Sequence, residues 1–174
     1  MMAQIDDLRQ KIRDIPDFPK PGIVFKDITP LLSDGRAFRS AIDLLGDRYR
    51  HQGVDVVVGV EARGFIMGSA LAYALGAGNI MIRKPGKLPY HTHRTVYELE
   101  YGSDALEIHQ DAIRPGQRVL VADDVLATGG TVSAASDLVR KLGGEIVELA
   151  FLIELTFLKG RERLTHAVHS LIQY

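Results

Sequence analysis

The stretch Val119-Leu120-Val121-Ala122-Asp123-Asp124-Val125-Leu126-Ala127-Thr128-Gly129-Gly130-Thr131 sets an apolar strand, two acids and a Gly-rich turn in immediate succession. Val119 to Ala122 have the composition of a strand buried on both faces of a parallel sheet. Asp123 and Asp124 are expected at its carboxyl end. A small turn then opens a helix in which Val132, Ala135, Leu138, Val139 and Leu142 recur at helical spacing.

That order suits a sugar phosphate. Amides of Ala127 to Thr131, unpaired at a helix start, point outward with the positive end of the helix dipole behind them, and can surround a phosphate dianion. Thr128 and Thr131 add hydroxyl donors, while Gly129 and Gly130 permit positive φ and close approach of a ligand. Ionised Asp123 and Asp124 accept from the two hydroxyls of a ribose cis-diol. A ribose-5-phosphate site is therefore expected; the plainer alternative is a strand with a loop Asp pair and a Thr N-cap. Neither a Walker A loop nor a dinucleotide G-x-G-x-x-G is present.

Upstream, Val54 to Val60 reads as a second buried strand, with Glu61-Ala62-Arg63-Gly64 at its carboxyl end before a helix over Phe65 to Leu75. Ligands gather at this edge of open α/β sheets, which makes Arg63 a candidate for binding an anion as well as for a structural salt bridge. Asn79 to Ile82 is a third strand. It leads into Arg83-Lys84-Pro85-Gly86-Lys87-Leu88-Pro89, where a Pro-Gly break holds cations on a turn at the same edge, as a pyrophosphate would need.

Toward the start, Ile5, Leu8, Ile12 and Ile15 predict one face of a helix that stops at Pro16. The Pro-rich stretch up to Pro30 reads as a stiff loop around a short strand. Its Ile23, Val24, Phe25 and Ile28 are expected to cover either the core or a flat ligand. Ser33 or Asp34 can cap a helix carrying Phe38, Ala41, Ile42, Leu45 and Tyr49 inward. Downstream of the basic turn, Tyr90 to Thr95 is polar. Val96–Tyr101 and Asp104–His109 then alternate with period two around Gly102-Ser103, a hairpin with a two-residue turn. Basic turn, polar tip and hairpin together read as a flexible lid.

Glu145 to Leu155 is another core strand, Phe157 to Leu164 a short helix and Val168 to Ile172 a last strand. The alternation predicts an α/β fold, a doubly wound and mostly parallel sheet in one domain over 1–174. Within it, 1–35 form the N-terminal helix and hood, 36–174 the core and 83–109 the antiparallel hairpin lid.

With 174 residues, a net charge of −1 and 46% hydrophobic residues, nothing in bulk composition favours nucleic acid or an anionic membrane. The absence of cysteine excludes disulfides and thiol catalysis. The acidic start lacks the apolar core of a secretory signal and no apolar run approaches a membrane span, so a cytoplasmic location is expected. His91-x-His93 has no third candidate ligand nearby and His166-x-x-His169 falls at a strand end, so no protein-built metal site is expected.

The central thirteen residues resemble the phosphoribosyl pyrophosphate (PRPP) motif of type I phosphoribosyltransferases. Phe18 to Asp27, Glu61 to Phe65, Arg83 to Pro89, Leu99-Glu100-Tyr101-Gly102 and Leu106-Glu107-Ile108 are similar, in order and spacing, to the adenine enzymes of that family. The resemblance spans nearly the whole chain. It implies the type I phosphoribosyltransferase fold, a homodimer, and the purine-salvage reaction of adenine and PRPP to AMP and pyrophosphate. Mg²⁺ would be held mainly by PRPP oxygens and water.

By the same resemblance Asp123, Asp124, Ala127, Thr128, Gly129, Gly130 and Thr131 hold the 5-phosphate and ribose, and Arg63, Arg83, Lys84 and Lys87 face pyrophosphate. Val24, Lys26, Glu100, Tyr101 and Leu158 meet adenine. Catalysis would rest on Glu100, Asp123, Asp124 and Arg63. The chemistry agrees: ribose C1 becomes oxocarbenium-like as pyrophosphate leaves, so cations on the leaving group and carboxylates at the ribose favour the transition state. Glu100 is the candidate donor to adenine N7, a role that requires its proton. Lys26 stands where many family members have Arg, which leaves main-chain contacts as its surest contribution. A 6-oxo purine would call for a lysine near O6, and no matching motif follows the central helix.

Overall fold

Helix α1 (Met2–Gln10) opens the computed structural model, which describes residues 2–98 and 103–174. Expected to run to Pro16, it ends earlier. Lys11 and Ile12 amides donate to Leu8 and Arg9 carbonyls at 3.0 and 3.1 Å, which tightens the last turn. Ile15 lies instead in β1 (Arg13–Pro16), opposite Phe25 of the antiparallel β2 (Val24–Asp27). The cause is local: Pro16 disfavours helical φ/ψ for the residue before it.

In the Pro-rich loop, Asp17 Oδ1 accepts from the Gly22 amide at 2.8 Å, and Phe18 and Phe25 meet edge to face at 5.3 Å. Ile28 is buried, whereas Ile23 and Val24 remain 37% and 48% exposed. A short helix α2 (Thr29–Ser33), with Pro30 in its first turn, precedes α3 (Gly35–Asp47). Asp34 rather than Ser33 caps α3, its Oδ1 accepting from Arg36 and Ala37 amides at 3.0 and 3.2 Å.

The chain clusters into two compact units, Met1–Leu44 and Leu45–Tyr174. The second contains β3 (Val56–Val60), α4 (Gly64–Leu75), β4 (Gly78–Ile82), β5 (Thr92–Glu98), β6 (Ser103–His109), β7 (Arg118–Leu126), α5 (Gly130–Lys141), β8 (Glu145–Glu154) and β9 (Val168–Gln173). Its sheet runs β4-β3-β7-β8-β9 with every pairing parallel, as expected. Right-handed crossovers run one way from β3 to β4 and the other from β7 to β8, so α4 and α5 cover opposite faces. The winding reverses between β3 and β7, and the carboxyl ends of those strands flank the crevice where such sheets bind ligands.

On the α5 face Val58, Val121, Leu149 and Phe151 pack with Val132, Ala135 and Leu138. On the α4 face β3 and α4 approach too closely for a side chain at Gly59 or Gly68. A Cβ on Gly59 would lie 2.7 Å from the Gly64 carbonyl oxygen, and one on Gly68 2.9 Å from Gly59 Cα.

Further sequence expectations need correction. The acids do not follow the central strand but lie within it, because β8 keeps pairing past them, Asp123 with Phe151 and Leu126 with Glu154. The hairpin exists, but Glu98 faces Ser103 and Tyr97 faces Asp104, so Ser103 belongs to β6 rather than to a turn, and Gly102 lies outside the described residues. The polar segment from Thr92 onward belongs to β5. A register slipped by an even number of residues leaves every side chain on the same face, so alternation alone could not tell the two pairings apart. Finally, residues 157–164 form two 3₁₀ turns, Thr156–Leu158 and Gly160–Arg163, separated at Lys159 with φ +53°.

Candidate active site

At the end of β7 the chain turns through Gly129, with φ +83°, into α5, and no side chain caps the helix. The first amides of α5 are thereby left facing outward. A cavity of about 80 Å³ opens there, lined by Asp123, Ala127, Thr128, Gly129, Gly130, Thr131 and Phe151 among others. One acid and the five-residue turn singled out in the sequence thus share a single small concavity. The Thr131 hydroxyl donates to Tyr97 Oη of β5 at 3.4 Å. Gly160 backs the turn so closely that a Cβ on Gly129 would lie 2.6 Å from its carbonyl oxygen.

The two acids differ in environment because successive strand residues point to opposite faces. Asp123 lines the cavity, its Oδ1 accepting from the Asp124 amide at 2.9 Å. Burial, and then the charge of Asp124, push its pKa well above the ordinary carboxylate range. Asp124 is 5% exposed and accepts a hydrogen bond from Arg63 Nε. Arg63, at the start of α4, and Asp124, on β7, are thereby joined across the crevice between β3 and β7.

The basic turn follows β4 on the same edge. Arg83 Nε and Nη2 reach Glu61 at 3.3 and 3.4 Å, and the Lys84 amide donates to Glu61 Oε2 at 2.8 Å. The Lys84 amide, and then Arg83, hold the Glu61 carboxyl below its usual range against the opposing effect of burial. Lys84 Nζ pairs with Asp104 of β6 at 3.0 Å, which raises the lysine pKa. Arg83 also donates to the Lys87 carbonyl and lies over the Phe65 ring. Lys87 is exposed and forms no ion pair among the described residues.

Glu61, Asp104, Tyr97 and Gly160 escaped the sequence reading. Glu61 alone carried a signal, its place beside Arg63; the others depend on pairing across the hairpin or on backbone contact. Of the residues matched to adenine, Lys26 belongs to the first unit, where its ammonium pairs with Asp14 at 2.7 Å. Val24 lies in the same unit. Leu158 lies in the second, in the first 3₁₀ turn after β8. Glu100 and Tyr101 fall outside the described residues.

Among the described residues no three His, Asp or Glu side chains gather as a metal cage, and no helix is long and apolar enough to cross a membrane. Asp123 and Asp124 nonetheless supply hard oxygen donors beside the cavity, a set that fits a divalent cation taking most of its shell from a bound phosphate ester and water.

Residues 28–168 match the phosphoribosyl transferase domain family. The chain is 63% identical over 171 residues to the adenine phosphoribosyltransferase of Syntrophotalea carbinolica, covering 98% of this chain and 100% of that protein. The crystal structure of adenine phosphoribosyltransferase from Rhodothermus marinus superposes with a TM-score of 0.96 at 52% identity, covering 100% of both chains. The Saccharomyces cerevisiae enzyme, crystallised with D-2,5-dideoxy-2,5-imino-altritol 1,6-bisphosphate and adenine, gives 0.93 at 39% identity, covering 98% of this chain and 99% of that one.

Proposed function

The chain belongs to the phosphoribosyl transferase family, among its adenine phosphoribosyltransferases, and from that premise we propose a role for each group around the crevice. The reaction is transfer of the 5-phosphoribosyl group from PRPP to adenine, giving AMP and pyrophosphate in purine salvage. The observation that carries the residue assignment is the cavity shared by Asp123 and Ala127 to Thr131.

In this reading the amides and hydroxyls of Ala127, Thr128, Gly129, Gly130 and Thr131 grip the 5-phosphate, and Asp123 and Asp124 accept from the ribose hydroxyls. Arg63, Arg83, Lys84 and Lys87 neutralise the departing pyrophosphate. Three of these four cations are engaged by carboxylates, Arg63 by Asp124, Arg83 by Glu61 and Lys84 by Asp104. Pyrophosphate therefore competes for cations that are already positioned, which limits the reorganisation left to the transition state. Mg²⁺, when bound with PRPP, supplies further charge neutralisation on the leaving group.

Val24, Lys26, Leu158, Glu100 and Tyr101 are assigned to adenine by resemblance. The exposure of Val24 supports its part, and the Asp14 ion pair shifts the role of Lys26 toward its main chain. Glu100, once protonated, donates a hydrogen bond to N7 as N9 attacks C1, the bond from C1 to pyrophosphate breaks and the N9 proton passes to water. By the same resemblance residues 1–35 are assigned as hood and 83–109 as lid, in a cytoplasmic homodimer.

Purified protein incubated with Mg²⁺, PRPP and each purine base in turn tests the assignment. AMP and pyrophosphate should form with adenine. Equal rates with hypoxanthine would refute the base specificity.

A further inference from the structure

Behind the phosphate loop, β8 ends on Glu154, a carboxylate only 4% exposed. It accepts from Arg161 Nε and Nη2 at 3.0 and 2.6 Å, from Ser170 Oγ at 2.6 Å and from Gln173 Nε2 at 3.4 Å. Arg161 also donates through Nη1 to the Val168 carbonyl at 2.7 Å. The guanidinium thus ties the end of β8 to the start of β9, and its hydrogen bonds are the first cause of a Glu154 pKa below the usual range.

After Glu154 the chain makes its 3₁₀ turns and presents Gly160, next to Arg161, to the loop. A Cβ on Gly160 would lie 2.1 Å from the Ala127 carbonyl oxygen and 3.0 Å from the Gly129 amide nitrogen. This is backbone against backbone, with no slack. The Leu155 amide, at the root of the turn, donates to the Leu126 carbonyl at 2.9 Å.

With the Arg161 side chain 44% exposed, this ion pair adds little net stability. What the planar, two-point Arg–carboxylate contact does supply is fixed direction. We propose that Glu154 and Arg161 are positioning residues for PRPP. Their pair clamps the Gly160 turn against Ala127–Gly129 and so holds the amides of the loop at the spacing the 5-phosphate requires. This rests on the loop assignment made above.

The same strand provides its own control. Glu148, also buried, accepts from Arg48 at 2.6 and 2.8 Å and from Tyr49 Oη at 2.8 Å. It lies six residues from Glu154, about 20 Å along the strand. Glu154→Gln and Glu148→Gln should both lower Tm. Only Glu154→Gln should raise KM for PRPP, by about 10-fold or more, with a smaller change in kcat. Gly160→Ala should reproduce that rise with the ion pair intact, and stands in if Glu154→Gln does not fold. Arg161→Lys, which keeps charge but loses the two-point contact, should fall between wild type and Glu154→Gln. If Glu154→Gln or Gly160→Ala binds PRPP as Glu148→Gln does, the positioning role is wrong. If Thr128→Val in the loop itself leaves KM for PRPP unchanged, the loop assignment fails first.

Discussion

Replacing Gly64 by alanine tests the geometry of the crevice without removing any proposed functional group. The added Cβ would lie 2.6 Å from Asp123 Oδ1 and 3.1 Å from the Ala122 carbonyl oxygen, where ordinary contact begins at 3.4 Å. Something must therefore give by about 0.8 Å, a small overpacking that elsewhere costs about 1 to 3 kcal/mol of stability. Two adjustments are open. Asp123 can swing away and lose the Asp124 amide at 2.9 Å, or the start of α4 can withdraw and carry Arg63 off Asp124. Both displace a group assigned to the ribose or the pyrophosphate. Misplacement on this scale lowers rates by about 100-fold, equivalent to about 2.7 kcal/mol of lost transition-state stabilisation. Steady-state release of pyrophosphate, with PRPP and adenine varied separately, should show kcat/KM for PRPP falling by that order while circular dichroism confirms the fold. A folded Gly64→Ala protein within a few-fold of wild type would show that the position of Asp123 and Arg63 is not critical.

Asp124→Asn keeps the shape of the side chain but removes a charge facing the cationic ribose, and should lower turnover by about 100-fold or more in a folded protein. An unchanged rate would remove Asp124 from the site. Glu100→Gln keeps a hydrogen-bond donor but abolishes proton exchange; loss of turnover would support proton exchange at N7, and near-normal turnover would leave only hydrogen bonding. The Glu154 carboxyl titrates below its ordinary value of 4.5, first because of Arg161, so its contribution to stability is present above that value and is lost as pH falls through the folded-state pKa. Asp123 acts in the opposite sense. Its raised pKa keeps a proton in the folded state that the unfolded chain has released, so its contribution weakens as pH rises above about 3.9. Chemical denaturation across pH should therefore show a flatter acid limb in Glu154→Gln than in wild type, and identical limbs would contradict the assignment.

The central strand, its acids and the glycine turn were legible because they form one unbroken run of sequence. A buried β segment, a positive-φ residue and a helical period each leave a local signature there. The three-strand grouping of Arg63, Asp124 and the basic turn was legible only as far as topology, since a doubly wound sheet brings the carboxyl ends of its strands to one edge. Individual partners were not. Arg63 and Asp124 lie 61 residues apart, and no local pattern records that they bond. Gly160 looked like a residue in a short helix, because its significance is the absence of a Cβ beside Ala127, which no periodicity encodes. Ile15 continued a helical spacing but precedes Pro16, and the backbone preference overrode the pattern. In the hairpin, alternation fixed the faces of Leu106 and Ile108 and left the register to be set by the tertiary fold.

A crystal structure of the protein with PRPP bound tests the central claim most directly. The 5-phosphate should lie within hydrogen-bond distance of the amides from Ala127 to Thr131, with the ribose hydroxyls on Asp123 and Asp124. PRPP bound elsewhere, with that turn empty, would contradict it.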